Sequence, residues 1–189
     1  IRAHHQMHQA NHRLATVDSL LCSMVPPSAL SRLVVGERVL DHSADATVLF
    51  SDMVDFTGWS SGRTPTEVVA MFNLLVRGFD TLAVYHNVSK IKTIGDAYWA
   101  VTGIQTHNVQ HAEVMVSFGL EMVALIRREA TRHRAKWRYP APDDSAQLRS
   151  GLISDAQSQK QIEFRVGIHS GPIEAGILGK QQISYEVFG

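Results

Sequence analysis

Two segments decide the fold. They are Ala46-Thr-Val-Leu-Phe-Ser-Asp-Met-Val-Asp-Phe-Thr-Gly58 and Val88-Ser-Lys-Ile-Lys-Thr-Ile-Gly-Asp-Ala-Tyr-Trp-Ala-Val-Thr-Gly103. The first reads as a strand over Thr47–Ser51, apolar enough to be buried, that ends on the carboxylate of Asp52. It runs into a turn, Phe56-Thr57-Gly58, whose backbone can meet an anion. The second reads as a hairpin, with Val88–Ile94 and Ala97–Thr102 flanking the two-residue connection Gly95-Asp96. Between them Thr64-Pro65-Thr66-Glu67 spells a capping box with proline at the first helical position. Val68, Val69, Phe72, Leu75, Phe79 and Leu82 then recur at helical spacing, and Asn87 ends the helix.

Outward from this centre, a second long helix is expected over roughly 108–134, with Val109, Ala112, Val116, Leu120, Val123 and Ile126 inward. Residues 136–160 hold Pro140, Pro142 and Asp143-Asp144 with few apolar side chains, the composition of an exposed or disordered loop. Ile162–His169 and Ile173–Leu178 read as strands joined by a turn at Ser170-Gly171-Pro172. Upstream, residues 28–45 read as a short amphipathic turn (Ala29, Leu30, Leu33) and a polar connection through Gly36 and Asp41. Over residues 1–25, Met7, Ala10, Leu14, Val17, Leu21 and Met24 form a narrow a/d seam that Pro26-Pro27 ends. That seam suits a parallel two-stranded coiled coil; a helix lying on its own domain is the other reading. His4, His8 and His12 share a helix face but have no carboxylate or thiolate to complete a metal set.

The element order is β-α-β-β-α-β plus one strand, preceded by a helix. This is an α+β, ferredoxin-like arrangement: an antiparallel sheet with helices packed on it. A right-handed crossover makes the first two strands parallel, with the third between them and opposed to both. The end of the first strand and the tip of the hairpin then fall at one edge, which brings Asp52 and Asp96 together.

Bulk composition narrows the chemistry. The formal net charge is zero, which argues against a general nucleic-acid or membrane-surface binder, so an anionic ligand needs a local site. The single cysteine, Cys22, allows no internal disulfide and suits a reducing, cytosolic setting. No apolar run is expected to reach membrane-span length, and the first residues lack a signal-peptide pattern. Two juxtaposed carboxylates repel unless a cation lies between them. Hard oxygen ligands suit magnesium or manganese, and a pair of such ions serves phosphoryl chemistry. Gly179-Lys180 is no Walker A loop, because Glu174 stands at its first glycine and Gln181 follows the lysine.

At these residues the chain resembles the class III nucleotidyl cyclase catalytic domain. Phe50–Thr57 resembles F-S-D-I-V-G-F-T, Lys90–Tyr98 resembles K-(I/V)-(K/E)-T-I-G-D-x-Y, and Arg165–Pro172 resembles R-(V/I)-G-I-H-(S/T)-G-P. Leu20–Pro27 resembles the helix that leads into that domain. The resemblance implies an N-terminal signalling helix over 1–27 and a catalytic domain over 28–189. It implies a homodimer with active sites shared between copies, and two divalent ions at Asp52, Met53 and Asp96. Arg165 is expected at phosphate, and Phe56, Thr57 and Gly58 at the triphosphate. The base-reading positions fall on Lys92 and Glu186, a donor and an acceptor that complement the N1 and amino edge of adenine. The expected activity is conversion of ATP to cyclic AMP and pyrophosphate in a cytosolic, signal-transducing protein. Guanylyl cyclase is the alternative, and a silent dimerisation module the reading from another class. Two departures stand out. Asp55 occupies a position where the family usually has glycine, and the family's next motif, which supplies an Asn and an Arg, would begin after Gly189.

Overall fold

The computed structural model describes residues 13, 16, 17, 21, 25–105, 107–140, 159–179 and 183–189. Among these, the elements run α1 (Pro27–Val34), β1 (Leu40–Met53), α2 (Phe56–Ser60), α3 (Pro65–Tyr85), β2 (Ser89–Ile94), β3 (Ala97–Thr102), α4 (His111–Arg132), α5 (Arg134–Trp137), β4 (Tyr139–Pro140), β5 (Gln159–Lys160), β6 (Phe164–Leu178) and β7 (Ser184–Phe188). One sheet has the order β2-β3-β1-β6-β7, and β4 pairs with β5 apart from it. The antiparallel sheet with helices on it is the expected α+β arrangement. The chain divides into two compact units, residues 47–102 with 108–170, and residues 1–46 with 103–107 and 171–189.

The first unit holds the hairpin and both long helices. β3 lies antiparallel to β1, with Phe50 opposite Trp99 and Ser51 opposite Tyr98, and antiparallel to β2. α3 begins as read: Thr64 Oγ1 accepts from the Glu67 N–H, and Glu67 reaches back to the Thr64 N–H at 2.9 Å. By length and composition alone α3 could cross a membrane, contrary to the expectation that no segment could. It instead buries one stripe, Met71, Leu75, Phe79 and Ala83, in the core beneath the sheet. Its Asp80 faces Lys90 and Tyr98 of the hairpin.

α4 has the expected period but a different phase. Ile126 is buried as expected, together with Met115, Phe118, Gly119, Met122 and Ala130, whereas Val116 and Leu120, and Val109 ahead of the helix, are exposed at 47%, 67% and 82%. The helix is apolar over a broad arc, so periodicity alone leaves the rotation open. Gly119 decides it: a Cβ there would lie 3.3 Å from Ile168 and 3.4 Å from Leu49, so this face alone can approach the sheet closely. Val69 of α3 is likewise exposed.

Three boundaries differ from the reading of the sequence. β1 starts at Leu40, not Thr47, because the polar run 41–45 hides a strand with one wet face. β6 is one strand through Ser170-Gly171-Pro172, not two strands and a turn. Pro172 lacks an N–H, and the ladder to β7 begins only at Glu174, so proline there costs no pairing with β7. The added strand is therefore β7. The stretch 136–160 is not wholly a loop either. Trp137 and Tyr139 are buried, and Trp59 Nε1 donates to the Trp137 carbonyl at 3.1 Å. Residues 141–158, the histidines 4, 8 and 12, most of the a/d seam, and Lys180 and Gln181 lie outside the described residues.

In the second unit β6 and β7 pair antiparallel, with Gly176 opposite Glu186. α1 precedes β1 there, and Ala29 is fully buried. Val39 approaches Gly176 so closely that a Cβ on that glycine would lie 2.8 Å from the Val39 carbonyl.

Candidate active site

Register puts the two aspartates at one edge. Ser51 faces Tyr98 and Ile94 faces Ala97, so the last residues of β1 lie beside the Gly95-Asp96 tip. Gly95 has φ of +61°, the left-handed conformation that this tight connection needs and that glycine takes without strain. The Asp96 carboxyl is raised above the ordinary carboxylate range, first by burial and then by a hydrogen bond with Asp52 and its charge; the Met53 N–H bonds to Asp96 and opposes the shift. Two neighbouring carboxyl groups, one of them held above the ordinary range by the other, mark an edge short of positive charge.

Arg165 supplies part of that charge. Its Nη2 donates to Asp52 Oδ2 at 2.6 Å, with both side chains substantially exposed. The structure thus places Arg165 on the carboxylate of Asp52, which sequence reading assigned to metal, rather than at a free phosphate position. Met53 lies in the core at 1% exposure, so only its main chain faces the pair. Among the described residues no three His, Cys, Asp or Glu side chains gather in one cluster. A cation at this edge would have two carboxylates and main-chain oxygen from the protein, leaving positions for the oxygens of a bound phosphate. That is the donor set of magnesium or manganese and a poor one for zinc.

The turn after β1 is built around Asp55. Its backbone is left-handed, φ 54° and ψ 43°, and its Oδ1 accepts from the Gly58 N–H at 3.2 Å. Phe56 turns into the core, edge-on to Phe72 at 5.5 Å, while Thr57 and Gly58 are exposed. Asp55, where the family usually has glycine, therefore holds the backbone donor that sequence reading assigned to phosphate.

Lys90 and Lys92 differ by two residues, and strict alternation would put them on one face. A bulge between them separates them. Lys90 turns toward the helices, bonding Asp80 at 2.9 Å, where the Tyr98 hydroxyl also donates at 3.0 Å. Burial and the Asp80 charge push the Tyr98 phenol well above its ordinary value. Lys92 turns to the other face, its Nζ 5.5 Å from the Trp99 ring centre, and Trp99 stacks on Phe50 at 5.0 Å. Phe50 is nonetheless 45% exposed. Sequence reading named Lys92 but missed the Phe50–Trp99 platform, whose only signal was two aromatics on facing strands. Glu186 lies in the other compact unit, on β7, and accepts from Ser184 Oγ at 2.7 Å.

A cavity away from the aspartate edge is a decoy. About 800 Å³ opens beside Gly58, Trp59, Arg63, Met71, Trp137 and Tyr139, but neither Asp52, Asp96 nor Arg165 lines it. Donor chemistry locates the site better than volume does.

Residues 39–189 match the model of the adenylate and guanylate cyclase catalytic domain. The chain belongs to that family. It is 32% identical over 174 residues to the receptor-type guanylate cyclase gcy-28 of Caenorhabditis elegans, a match covering 92% of this chain and 12% of that protein. Among solved structures it resembles the guanylate cyclase domain of RhGC from Catenaria anguillulae in complex with GTP, at TM-score 0.60 and 29% identity, covering 78% of this chain and 68% of that one. It also resembles the catalytic core of a rhodopsin-guanylyl cyclase with converted specificity in complex with ATPalphaS, at TM-score 0.60 and 29% identity, over 79% and 68% of the two chains. The curated relative is thus several times longer than this cyclase domain.

Proposed function

We propose that this domain is a nucleotidyl cyclase that takes ATP. One observation carries the reading: strand register brings Asp52 and Asp96 to a single sheet edge, with Arg165 bonded to Asp52 beside them. Two divalent ions held by Asp52, Asp96 and the main chain at Met53 would neutralise the phosphates and favour ionisation of the ribose 3′-hydroxyl. The 3′-oxygen attacks the α-phosphorus in line, the bond to the β-phosphate bridging oxygen breaks, and pyrophosphate leaves with the electron pair. Arg165 screens the growing charge at the same edge. The Phe56-Thr57-Gly58 turn receives the terminal phosphates once they displace the Asp55 carboxylate from the Gly58 N–H.

Lys92 donates to adenine N1, and Glu186 accepts from the exocyclic amino group. GTP is the second reading, favoured by the relatives named as guanylate cyclases. A lysine donor can also serve guanine O6, and a carboxylate its N1–H, if the two exchange partners. Two copies of the chain share the active sites, and the Phe50–Trp99 face of the sheet, with exposed Ile94 on the same strand as Lys92, is the surface offered to the second copy. The domain works on the cytosolic side of whatever larger protein carries it.

The test is product identity. The protein is incubated with ATP and with GTP in manganese, and products are separated by chromatography. Cyclic AMP at several times the rate of cyclic GMP is expected. Cyclic GMP in excess transfers the reading to GTP; no cyclic product from either ends it.

A further inference from the structure

The Glu186 segment is held by a network that none of the expected site residues explains. Arg32, in the last turn of α1, extends its guanidinium across the segment that follows. Nη1 bonds Asp41 Oδ1 at 2.5 Å, and Nη2 bonds the carbonyls of Arg38 at 3.1 Å and Leu40 at 3.3 Å. The other oxygen of Asp41 accepts from the Tyr185 hydroxyl at 2.7 Å. Tyr185 is 4% exposed. Burial and this carboxylate together push its phenol well above the ordinary value, so it remains a donor. The stapled segment also reaches β6, where the Ile177 N–H meets the Val39 carbonyl at 3.4 Å and Gly176 leaves room for it.

The two places the segment touches are the two neighbours of Glu186. Tyr185 precedes it in the chain, and Gly176 faces it across the ladder. An exposed ion pair contributes little, but a guanidinium that bonds one carboxylate oxygen and also ties two carbonyls fixes a backbone.

We propose that Arg32 is a positioning residue for purine selection: through Asp41 and Tyr185 it holds β7 in register against the segment from Arg38 to Asp41, and so sets where Glu186 meets the base. The inference rests on the assignment of Glu186 as a base reader. A corollary is that displacement of α1 changes substrate discrimination as well as rate.

The test uses the full-length protein with Arg32→Gln, Tyr185→Phe, the double variant, Arg32→Lys as the conservative change, and Thr64→Ala as a control that loosens α3 elsewhere. Arg32→Gln and Tyr185→Phe should each lower the ratio of kcat/KM between the two triphosphates about tenfold, mainly through KM. The double variant should be no worse than either alone, since both cut one chain of bonds. Arg32→Lys should recover part of the ratio. Thr64→Ala should leave it unchanged at a comparable loss of Tm. Equal effects from Thr64→Ala and Arg32→Gln, or additive effects in the double variant, overturn the proposal. Amide exchange over residues 184–188 is read in parallel without nucleotide. Arg32→Gln should speed it selectively, and unchanged exchange overturns the latch. If the parent protein turns over neither triphosphate, the cyclase reading has failed, and the latch is judged on exchange alone.

Discussion

Asp96 and Glu186 are both acidic and are both assigned to the same substrate, yet the fold holds them in opposite ways. Asp96 sits on the tip of a two-residue connection, and its place beside Asp52 follows from the register of β1 and β3. Few tertiary contacts are needed, because strand pairing fixes the edge. Glu186 sits within a five-residue strand, and its neighbours Tyr185 and Gly176 meet a segment tied down by Arg32, more than 150 positions away in sequence. The aspartate edge is thus written into local pairing, while the proposed base-reading position is left to long-range support.

The sharpest way to break this comparison is at the aspartates. Asp52→Asn and Asp96→Asn should each reduce cyclic nucleotide formation by about a thousandfold or more, equivalent to about 4 kcal/mol of transition-state stabilisation. Tm should change by no more than a few degrees, because neither side chain is part of the core. Manganese should raise Tm of the parent and not of either variant. Turnover within tenfold of the parent removes both residues from the metal site.

Base selection should respond less strongly. Lys92→Glu combined with Glu186→Cys should shift the ratio of kcat/KM toward GTP by about 10- to 100-fold, since each swap leaves a wrong-base donor or acceptor unpaired. Lys92 faces the Phe50–Trp99 platform rather than the helix core, so folding should survive. A ratio that does not move, in protein of unchanged Tm, would exclude both residues from contact with the base.

What could be read from the sequence follows the same division. The capping box at Thr64, the hairpin around Gly95-Asp96 and the meeting of Asp52 with Asp96 rest on local chemistry and strand order, and the structure shows all of them. The phase of α4 was not legible, because Val116 and Leu120 are as apolar as Met115 and Met122, and only the close approach at Gly119 separates the two faces. The divergence of Lys90 and Lys92 was hidden by a bulge, which no alternation pattern reports. Ser170-Gly171-Pro172 has turn composition but lies within β6, before the ladder to β7 begins at Glu174. The Arg32–Asp41–Tyr185 chain has no local signature, since its members come from a helix, a strand start and the last strand.

The smallest expected effect tests how far the aspartate edge is under strain without metal. The Asp96 carboxyl titrates above its ordinary value because burial and Asp52 disfavour its charged form. Over the interval between the ordinary and raised values the folded protein therefore binds more protons than the unfolded chain. Stability falls with rising pH wherever the native state binds the excess. The contribution of this group is fully present below the ordinary carboxylate range, and is lost as pH rises through the raised value. Metal-free Asp96→Asn should lack this loss, and at neutral pH should be more stable than the parent by a degree or two in Tm. Saturating manganese should abolish or reverse the ranking, because the parent alone then gains from the cation. Thermal scans with and without chelator from pH 4 to pH 8 measure it. A parent that stays level with Asp96→Asn at every pH in chelator would show that the two carboxyl groups do not burden one another, and the pairing on which the site rests would have to be given up.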